Sequence, residues 1–229
     1  MAKENITLLG IESSGATCAI GISIGSKLIF EISETGRYIH SEKLAPFVKQ
    51  SLEKTSLTIT DLDGVVISAG PGSFTGLRIG FSLAKGITHA LNIPLIEIPT
   101  LDVIAHKFTE RNEIHVLPVI DARRGEIFYA LYLNNNHQIK RITDYQLIKV
   151  HLLSKIIKND TLVFGDIHEE LKSEIKKNIP QFAHFPDSKS VNHSMLSLHN
   201  LGFNKFIEKK YSDLQNCEPF YMRKFKGVS

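Results

Sequence analysis

The segment that most constrains the fold is a glycine-rich loop between a predicted strand and a predicted helix. Gly64–Ala69 is an apolar run of strand length, and Gly70–Gly76 (GPGSFTG) places three glycines in the next seven residues. Leu77–Leu91 follows with a broad apolar face at helical spacing and ends at Asn92. A buried strand that passes through glycines into a helix is typical of α/β proteins.

The rest of the chain extends this pattern of short strands and interleaved helices. Thr17–Ile24 and Leu95–Ile98 predict strands, and Gly and Ser separate the earlier runs as in antiparallel turns. The predicted helices are Ser41–Lys54, Leu77–Leu91, Leu101–Arg111, Leu147–Ile157, His168–Lys177 and Ser190–Lys209, the last interrupted by Gly202. We therefore predict an α/β fold with mixed sheets in two lobes, residues 1–99 and 100–229, whose last segment can return to the first lobe.

Composition excludes several classes of protein. A formal charge of +3 does not favour a dedicated nucleic-acid binder. Cys18 and Cys217 lack C-x-x-C spacing, and the ten His include no H-x-x-x-H pair, so neither a disulfide framework nor a zinc site is predicted. No apolar run reaches the roughly 18 residues of a membrane span, and the N-terminus lacks secretory character. We expect a cytoplasmic protein without a membrane partner.

The turn Glu12-Ser13-Ser14-Gly15 carries an acid and two hydroxyls at the end of a predicted strand. Such a turn can present backbone N–H groups and hydroxyls to a phosphate or to a metal-bound water. The alternative is a hairpin turn whose serines satisfy its own backbone. Residue chemistry alone favours this alternative.

The glycine-rich loop is the second candidate for phosphate binding. Its glycines permit a close approach, and the N-terminus of the following helix offers unpaired N–H groups that suit an anion. The spacing matches neither G-x-x-x-x-G-K-[ST] nor G-x-G-x-x-G, so a tight strand-to-helix connection is the alternative. The candidate residues are Gly70, Gly72, Ser73, Thr75 and Gly76.

Small residues recur every four positions in the helix after this loop, at Gly76, Gly80 and Ala84. This spacing leaves a groove in which the backbone of another helix can pack, and an interior Gly costs about 1 kcal/mol relative to Ala. Either a protein interface or packing within the chain would compensate. The apolar face of the helix Ser41–Lys54 is a candidate to fill the groove.

Four segments together resemble the bacterial TsaB family, also called YeaZ. They are Ile6–Ser14 (ITLLGIESS), Ser68–Ile79 (SAGPGSFTGLRI), Asp121–Tyr129 (DARRGEIFY) and Glu218–Arg223 (EPFYMR). The resemblance covers most of the chain, and GPGSFTGLR is its most specific part. It implies an ASKHA-like fold, the two-lobed architecture of actin, Hsp70 and sugar kinases.

The resemblance also implies a function and a set of partners. The family takes part in making N6-threonylcarbamoyladenosine at position 37 of tRNAs that read ANN codons. Its members are non-catalytic paralogues of TsaD that form a homodimer alone, pair with TsaD, and join the ATPase TsaE in a complex. This chain is then expected to hold no metal or cofactor, to meet ATP or ADP only in the complex, and to reach tRNA indirectly.

The resemblance further implies that the homodimer and the TsaD pairing use the same helices of the first lobe. Here those helices correspond to Ser41–Lys54 and Phe74–Leu91. The predicted interface residues are Leu44, Phe47, Val48, Leu52, Leu77, Gly80, Phe81, Ala84 and Ile87.

Two other functions remain open from the sequence. An active ASKHA-type ATPase or small-molecule kinase would need an acid near the phosphates, and Asp121 is the candidate, although an ion pair that caps the turn is the alternative role. A peptidase is the third possibility, but the chain contains no G-x-S-x-G elbow and no zinc signature.

Overall fold

The computed structural model describes residues 5–36, 38–107, 113–136, 138–186 and 195–222. The strands are β1 (Thr7–Glu12), β2 (Thr17–Ile24), β3 (Lys27–Thr35), β4 (Gly64–Ser68), β5 (Leu95–Ile98), β6 (Ile114–Arg123), β7 (Glu126–Tyr129), β8 (Tyr132–Asn135), β9 (Gln138–Arg141), β10 (Gln146–Lys149), β11 (Thr161–Asp166) and β12 (Ala183–His184). The helices are α1 (His40–Thr55), α2 (Phe74–Leu91), α3 (Thr100–His106), α4 (Leu153–Ile156), α5 (Glu169–Asn178) and α6 (Met195–Ile207).

The chain forms two compact units. Unit 1 contains the described residues up to Val103 together with residues 195–220, and unit 2 contains the described residues 104–186 together with residues 221–222. Helix α6 and the segment after it therefore belong to the same unit as the first strands. Among the described residues, no helix combines the length and the apolar character needed to cross a lipid bilayer.

Unit 1 is a mixed five-stranded sheet in the order β3-β2-β1-β4-β5. Strand β1 is antiparallel to β2 and parallel to β4, and β4 is parallel to β5. Alternate side chains face opposite layers, as strand geometry requires. Leu9 and Ile67 lie in the cluster shared with α1 and α2, whereas Leu8 and Val66 lie in the cluster shared with α6.

Helix α6 packs closely on its face of the sheet because glycines lie beneath it. A Cβ at Gly10 or Gly21 would overlap the ring of His199, which is 1% exposed. Neither ring nitrogen of His199 has a hydrogen-bond partner among the described residues. Burial lowers the pKa of His199 to about 4, and the nearby backbone of Gly21 opposes part of that shift. The folded protein therefore holds this imidazole neutral.

Unit 2 is a mixed sheet built around β6. Strand β6 is antiparallel to β7 and β8 and parallel to β11, and the outer strands β10, β12 and β9 pair with β7, β11 and β8. One face of this sheet packs against α5 through Leu171 and Ile175, which are both buried. Helix α5 begins after His168, whose Nδ1 accepts a hydrogen bond from Leu171 N at 3.2 Å.

Two of the predicted helices are wrong in part. Leu147–Ile157 begins as strand β10, because Leu147 pairs with Phe128 of β7, and becomes helical only from a 3-10 turn at Val150–Leu152 that leads into α4. Helix α6 is not interrupted at Gly202, where a Cβ would lie 2.5 Å from Val66 Cγ1, so the glycine serves close packing. Residues 108–111 and 190–194 of two predicted helices lie outside the described residues.

Candidate functional site

The Glu12–Gly15 turn at the end of β1 is buried, and its carboxylate is bonded within unit 1. Glu12 Oε1 accepts hydrogen bonds from Ser14 N at 2.7 Å and Ser14 Oγ at 2.5 Å, and Glu12 Oε2 accepts one from Ser68 Oγ. Glu12 is 2% exposed, and Gly15 is buried beside it. Because β1 and β4 are neighbouring parallel strands, the carboxylate joins their two ends.

The glycine-rich loop lies directly on this turn. A Cβ at Gly72 would overlap the carbonyl oxygen of Ser14. A Cβ at Gly76 would overlap the carbonyl oxygen of Ser13, and one at Gly80 would overlap Ser13 Oγ. Only residues without a side chain permit such an approach. The structure therefore brings the two predicted phosphate-binding features together, and each covers the other.

Ser73 fixes the start of α2 and also joins it to the turn. Its Oγ accepts a hydrogen bond from Gly76 N at 3.2 Å, and its backbone N–H donates to Ser14 O at 2.6 Å. The apolar pattern started this helix at Leu77 and missed the N-cap, although a Ser three residues before Gly76 is a recognised signal for one. The range Phe74–Leu91, which the resemblance indicated, agrees with the observed helix. Thr75 lies exposed on the first turn of the helix.

The stripe of small residues predicted to receive another helix faces the interior instead. Gly76 and Gly80 contact Ser13, and Ala84 is fully buried in the core of unit 1. Helical spacing identified a close approach but could not say which neighbour makes it. Of the two possibilities that the sequence leaves open, packing within the chain is the one observed.

The nine residues predicted to form the partner interface are also buried in the isolated chain. Each of the eight apolar side chains is at most 9% exposed, and Gly80 lies against Ser13. They do not form an exposed surface in the isolated chain, and their part in a partner interface stays a prediction. The residues concerned are Leu44, Phe47, Val48, Leu52, Leu77, Gly80, Phe81, Ala84 and Ile87.

The outward face of α2 carries a second stripe of small residues, which was not predicted from the sequence. Ser82, Gly86 and Ala90 recur every four residues and are all exposed. A Cβ at Gly86 would meet no atom within 4 Å, so this glycine is not needed for packing within the chain. Ile79 and Leu83 flank the stripe and are half-buried. We call Ser82, Gly86 and Ala90 the outer stripe.

The start of the glycine-rich loop is held by Thr100 and by the C-terminal segment. Gly70 N donates to Thr100 Oγ1 at 3.0 Å, and Phe220 N donates to Ala69 O at 2.7 Å. Gly70 has a φ of +106°, and a Cβ there would lie 2.9 Å from Phe220 O. The segment Glu218–Arg223, which contributes to the resemblance, thus packs on the loop as far as Phe220, while Arg223 lies outside the described residues.

Asp121 lies in unit 2 on the hairpin between β6 and β7. Its Oδ1 accepts a hydrogen bond from Arg123 N at 2.7 Å, and its Oδ2 lies 3.0 Å from Arg123 Nη1 and 3.6 Å from His168 Nε2. The turn-capping ion pair that the sequence offered as an alternative is therefore present. The role of Asp121 as the acid of an ATPase stays a prediction.

Two further kinds of chemistry find little support in the described residues. No group of three or more His, Cys, Asp or Glu side chains in that part of the chain is arranged to hold a metal ion. Burial raises the pKa of the Cys18 thiol to about 11 and also raises that of Cys217, so neither thiol favours the nucleophilic thiolate.

The chain matches a known family over most of its length. The family profile described as TsaD, tRNA N6-adenosine threonylcarbamoyltransferase, matches residues 34–224. The tRNA threonylcarbamoyladenosine biosynthesis protein TsaB of Buchnera aphidicola subsp. Schizaphis graminum is 29% identical over 172 residues, which is 73% of this chain and 81% of that protein. The protein of the same name from Bacillus subtilis is 30% identical over 141 residues, or 62% of this chain and 61% of that protein.

A solved structure has the same fold. YeaZ from Pseudomonas aeruginosa superposes with a TM-score of 0.80 at 20% identity and covers 95% of this chain and 100% of that chain. The predicted α/β class and ASKHA-like architecture with mixed sheets are thereby confirmed. The profile match, the similarity in sequence and the shared fold agree that the chain belongs to the TsaB (YeaZ) family, the paralogues of TsaD.

Proposed function

We propose that this chain is a non-catalytic scaffold subunit in the biosynthesis of N6-threonylcarbamoyladenosine at position 37 of ANN-decoding tRNAs. In this role it forms a homodimer alone, pairs with TsaD, and helps to recruit TsaE. Its named relatives belong to this biosynthesis, which supports the pathway. A cytoplasmic location follows from the role, because tRNA is modified there.

One observation carries the non-catalytic part of the proposal. The turn at Glu12 and the glycine-rich loop are the places where this chain would be expected to hold a phosphate, and they are packed against each other. The Glu12 carboxylate accepts hydrogen bonds from Ser14 and Ser68, and Gly72 lies on the carbonyl of Ser14. A phosphate there would have to displace α2 from the turn. We therefore propose that ATP or ADP acts in the complex and not on this turn.

We propose that the partner surface is the outward face of α2, centred on the outer stripe. Small side chains let the backbone of a second helix come close, and half-buried Ile79 and Leu83 supply apolar contact beside them. The proposed surface lies on α2, one of the two helices that the resemblance indicates. It uses the outward face of that helix and not the buried face that carries the predicted interface residues. The buried side chains that the resemblance placed at the interface then act by holding α2 in place.

The outer stripe gives a direct test, because Gly86 can be enlarged without disturbing the unit. Gly86→Leu has open space in the isolated chain and should improve helix propensity by about 1 kcal/mol. It should nevertheless block a close helix contact. Light scattering after size exclusion should show a dimer for the native chain, exchange into a one-to-one pair with TsaD, and a folded monomer for Gly86→Leu that does not pair.

A matched control is Ser173→Leu, which adds the same side chain at an exposed position of α5 in unit 2. It should dimerise and pair with TsaD like the native chain. If Gly86→Leu also associates normally, the outer stripe is not the interface. A native chain that stays monomeric and ignores TsaD would contradict the scaffold role itself.

A further inference from the structure

The hairpin between β6 and β7 has an unusual backbone for its sequence. Arg123, Arg124 and Gly125 all have left-handed φ values, of +67°, +59° and +69°. Glycine adopts this region freely, whereas Asn and Asp are the common alternatives and Arg is disfavoured there. The fold of the turn therefore needs Gly125 but gains nothing from two arginines. A residue type that is disfavoured by the backbone of its turn suggests that its side chain serves something other than folding.

The hairpin is nevertheless held firmly by its neighbours in unit 2. The Asp121 carboxylate accepts a hydrogen bond from Arg123 N at 2.7 Å, and Gly125 O accepts one from Val150 N at 3.0 Å. A register shift between Asp121 and Arg123 also bends β6 just before the turn. Side chains on a fixed backbone lose less entropy when they bind, so the hairpin presents its arginines in a prepared arrangement.

Both guanidinium groups are open to solvent. The Arg123 side chain is 81% exposed and uses one nitrogen on Asp121, which leaves its other donors available. Arg124 is exposed and has no hydrogen bond or ion pair with any described residue. Guanidinium is planar and binds phosphate oxygens through two donors at once, which makes it the preferred side chain for phosphate recognition.

We infer that the Arg123–Arg124 hairpin binds the phosphate backbone of the tRNA substrate. This rests on the proposed function, which brings an RNA to the complex. Two adjacent guanidinium groups suit successive phosphates, and such contacts position an RNA without reading its sequence. The chain would then contact tRNA directly, whereas the resemblance implied only an indirect approach.

The test exploits the fact that asparagine suits a left-handed backbone better than arginine does. The double variant Arg123→Asn with Arg124→Asn should keep or raise the melting temperature while it weakens RNA binding. The matched control, Lys176→Gln with Lys177→Gln, removes the same charge from exposed positions of α5 in the same unit. The probe is a fluorescent, unmodified transcript of an ANN-decoding tRNA, titrated with full-length chain plus its organism's TsaD between about 50 and 200 mM salt.

The asparagine variant should bind this tRNA about tenfold more weakly at 100 mM salt, with the slope of log K against log salt reduced by about one to two. The control should change affinity about twofold or less. Equal losses in both variants, unchanged binding in the asparagine variant, or no binding by the native mixture would each overturn the inference.

Pairing with TsaD, measured by coelution, separates this inference from the proposed function. If the native chain does not pair, the scaffold role fails. If the native chain and the asparagine variant both pair with TsaD, but the variant binds tRNA as tightly as the native chain, the scaffold role stands and the RNA contact fails. If the asparagine variant loses pairing but keeps tRNA affinity, the hairpin is a protein contact and the inference is overturned.

Discussion

Two turns of this protein contain the same local hydrogen bond, from a backbone N–H to a carboxylate two residues earlier, but they lie in different environments. In unit 1, Glu12 accepts a hydrogen bond from the backbone N–H of Ser14, two residues on, at 2.7 Å. In unit 2, Asp121 accepts one from the N–H of Arg123, also two residues on and also at 2.7 Å. Glu12 is 2% exposed beneath α2, whereas the side chain of Asp121 is 13% exposed beside two outward-facing arginines.

The difference shows that a carboxylate-capped turn does not by itself decide whether a site is open. In unit 1 the residues that approach the turn are glycines, so α2 can rest on the backbone of Ser13 and Ser14. In unit 2 the turn after Asp121 and Ala122 consists of Arg123, Arg124 and Gly125, and the exposed side chains of both arginines extend into solvent. A turn of the same kind is therefore buried in unit 1, whereas in unit 2 it exposes the positive charges of two arginines.

The largest expected effect comes from filling the space that closes the first turn. Gly80→Leu would force a side chain into Ser13 and should lower the free energy of unfolding by about 3 kcal/mol or more. Gly86→Leu lies on the same helix in open space and should raise it by up to about 1 kcal/mol. Urea unfolding of the full chain, at concentrations low enough that the native chain is monomeric, measures both, and equal effects would contradict the two-faced description of α2.

Removing the charge of the buried acid should have the next largest effect. Glu12→Gln keeps one acceptor oxygen but turns an NH₂ group toward donors from Ser14 and Ser68. A buried mismatch of this kind should cost roughly 2 to 3 kcal/mol of unfolding free energy. Chemical denaturation at neutral pH checks this, and a loss below about 0.5 kcal/mol would mean that the hydrogen bonds at this turn contribute little.

His199 is a buried polar group whose ring nitrogens have no hydrogen-bond partner among the described residues. The pKa of His199 is about 4 in the folded chain, below the ordinary value of 6.5 that applies when unfolded. Protonation therefore favours unfolding, so stability falls as pH drops below about 6.5 and keeps falling until about pH 4. The loss attributable to this group should reach about 2 kcal/mol at pH 5.

The control for this prediction is His199→Leu, which cannot titrate. Unfolding free energies of both proteins measured from pH 7.5 to pH 5 should diverge, with the native chain falling more steeply. Parallel curves would show that the imidazole already has a proton or a partner in the folded protein. Carboxylates contribute equally to both curves and so cancel in the difference.

The smallest effect is expected at the open turn. Asp121→Asn retains an oxygen that can accept from Arg123 N but loses the ion pair with Arg123 Nη1. Because the arginine is 81% exposed, the free energy of unfolding should fall by less than about 1 kcal/mol. A thermal unfolding series alongside Glu12→Gln would test the contrast, which disappears if the Asp121 variant is the less stable of the two.

The sequence predicts the elements of unit 1 well because each has a strong local signal. Thr17–Ile24 and Leu95–Ile98 are strands with the predicted limits, since apolar runs bounded by glycine, serine or proline leave little choice. Leu147–Ile157 was misassigned because its strand character comes from pairing with β7, which no local pattern reveals.

The sequence predicted which residues form the candidate site, but not which face of α2 packs against the interior. Spacing identified Gly76, Gly80 and Ala84 as a small-residue face, yet α2 also carries Ser82, Gly86 and Ala90 on the opposite side. Which face packs inside depends on Ser13, more than 60 residues away in the chain. The left-handed backbone at Arg123 and Arg124 could not be foreseen either, since arginine is not a residue that signals such a turn.

Unit 1 consists of two segments that are far apart in the chain, and this has a consequence for folding during translation. Its sheet is synthesised first, but α6, which covers one face, is not made until residues 195–207. At typical translation speeds the intervening residues take on the order of ten seconds. During that time Leu8, Val66 and Ile96 lack the contacts with the Met195 and Leu198 side of their cluster, although each is buried in the finished fold. A nascent chain stalled before Met195 would therefore expose an apolar sheet face to which chaperones can bind. In the folded protein the same face is buried.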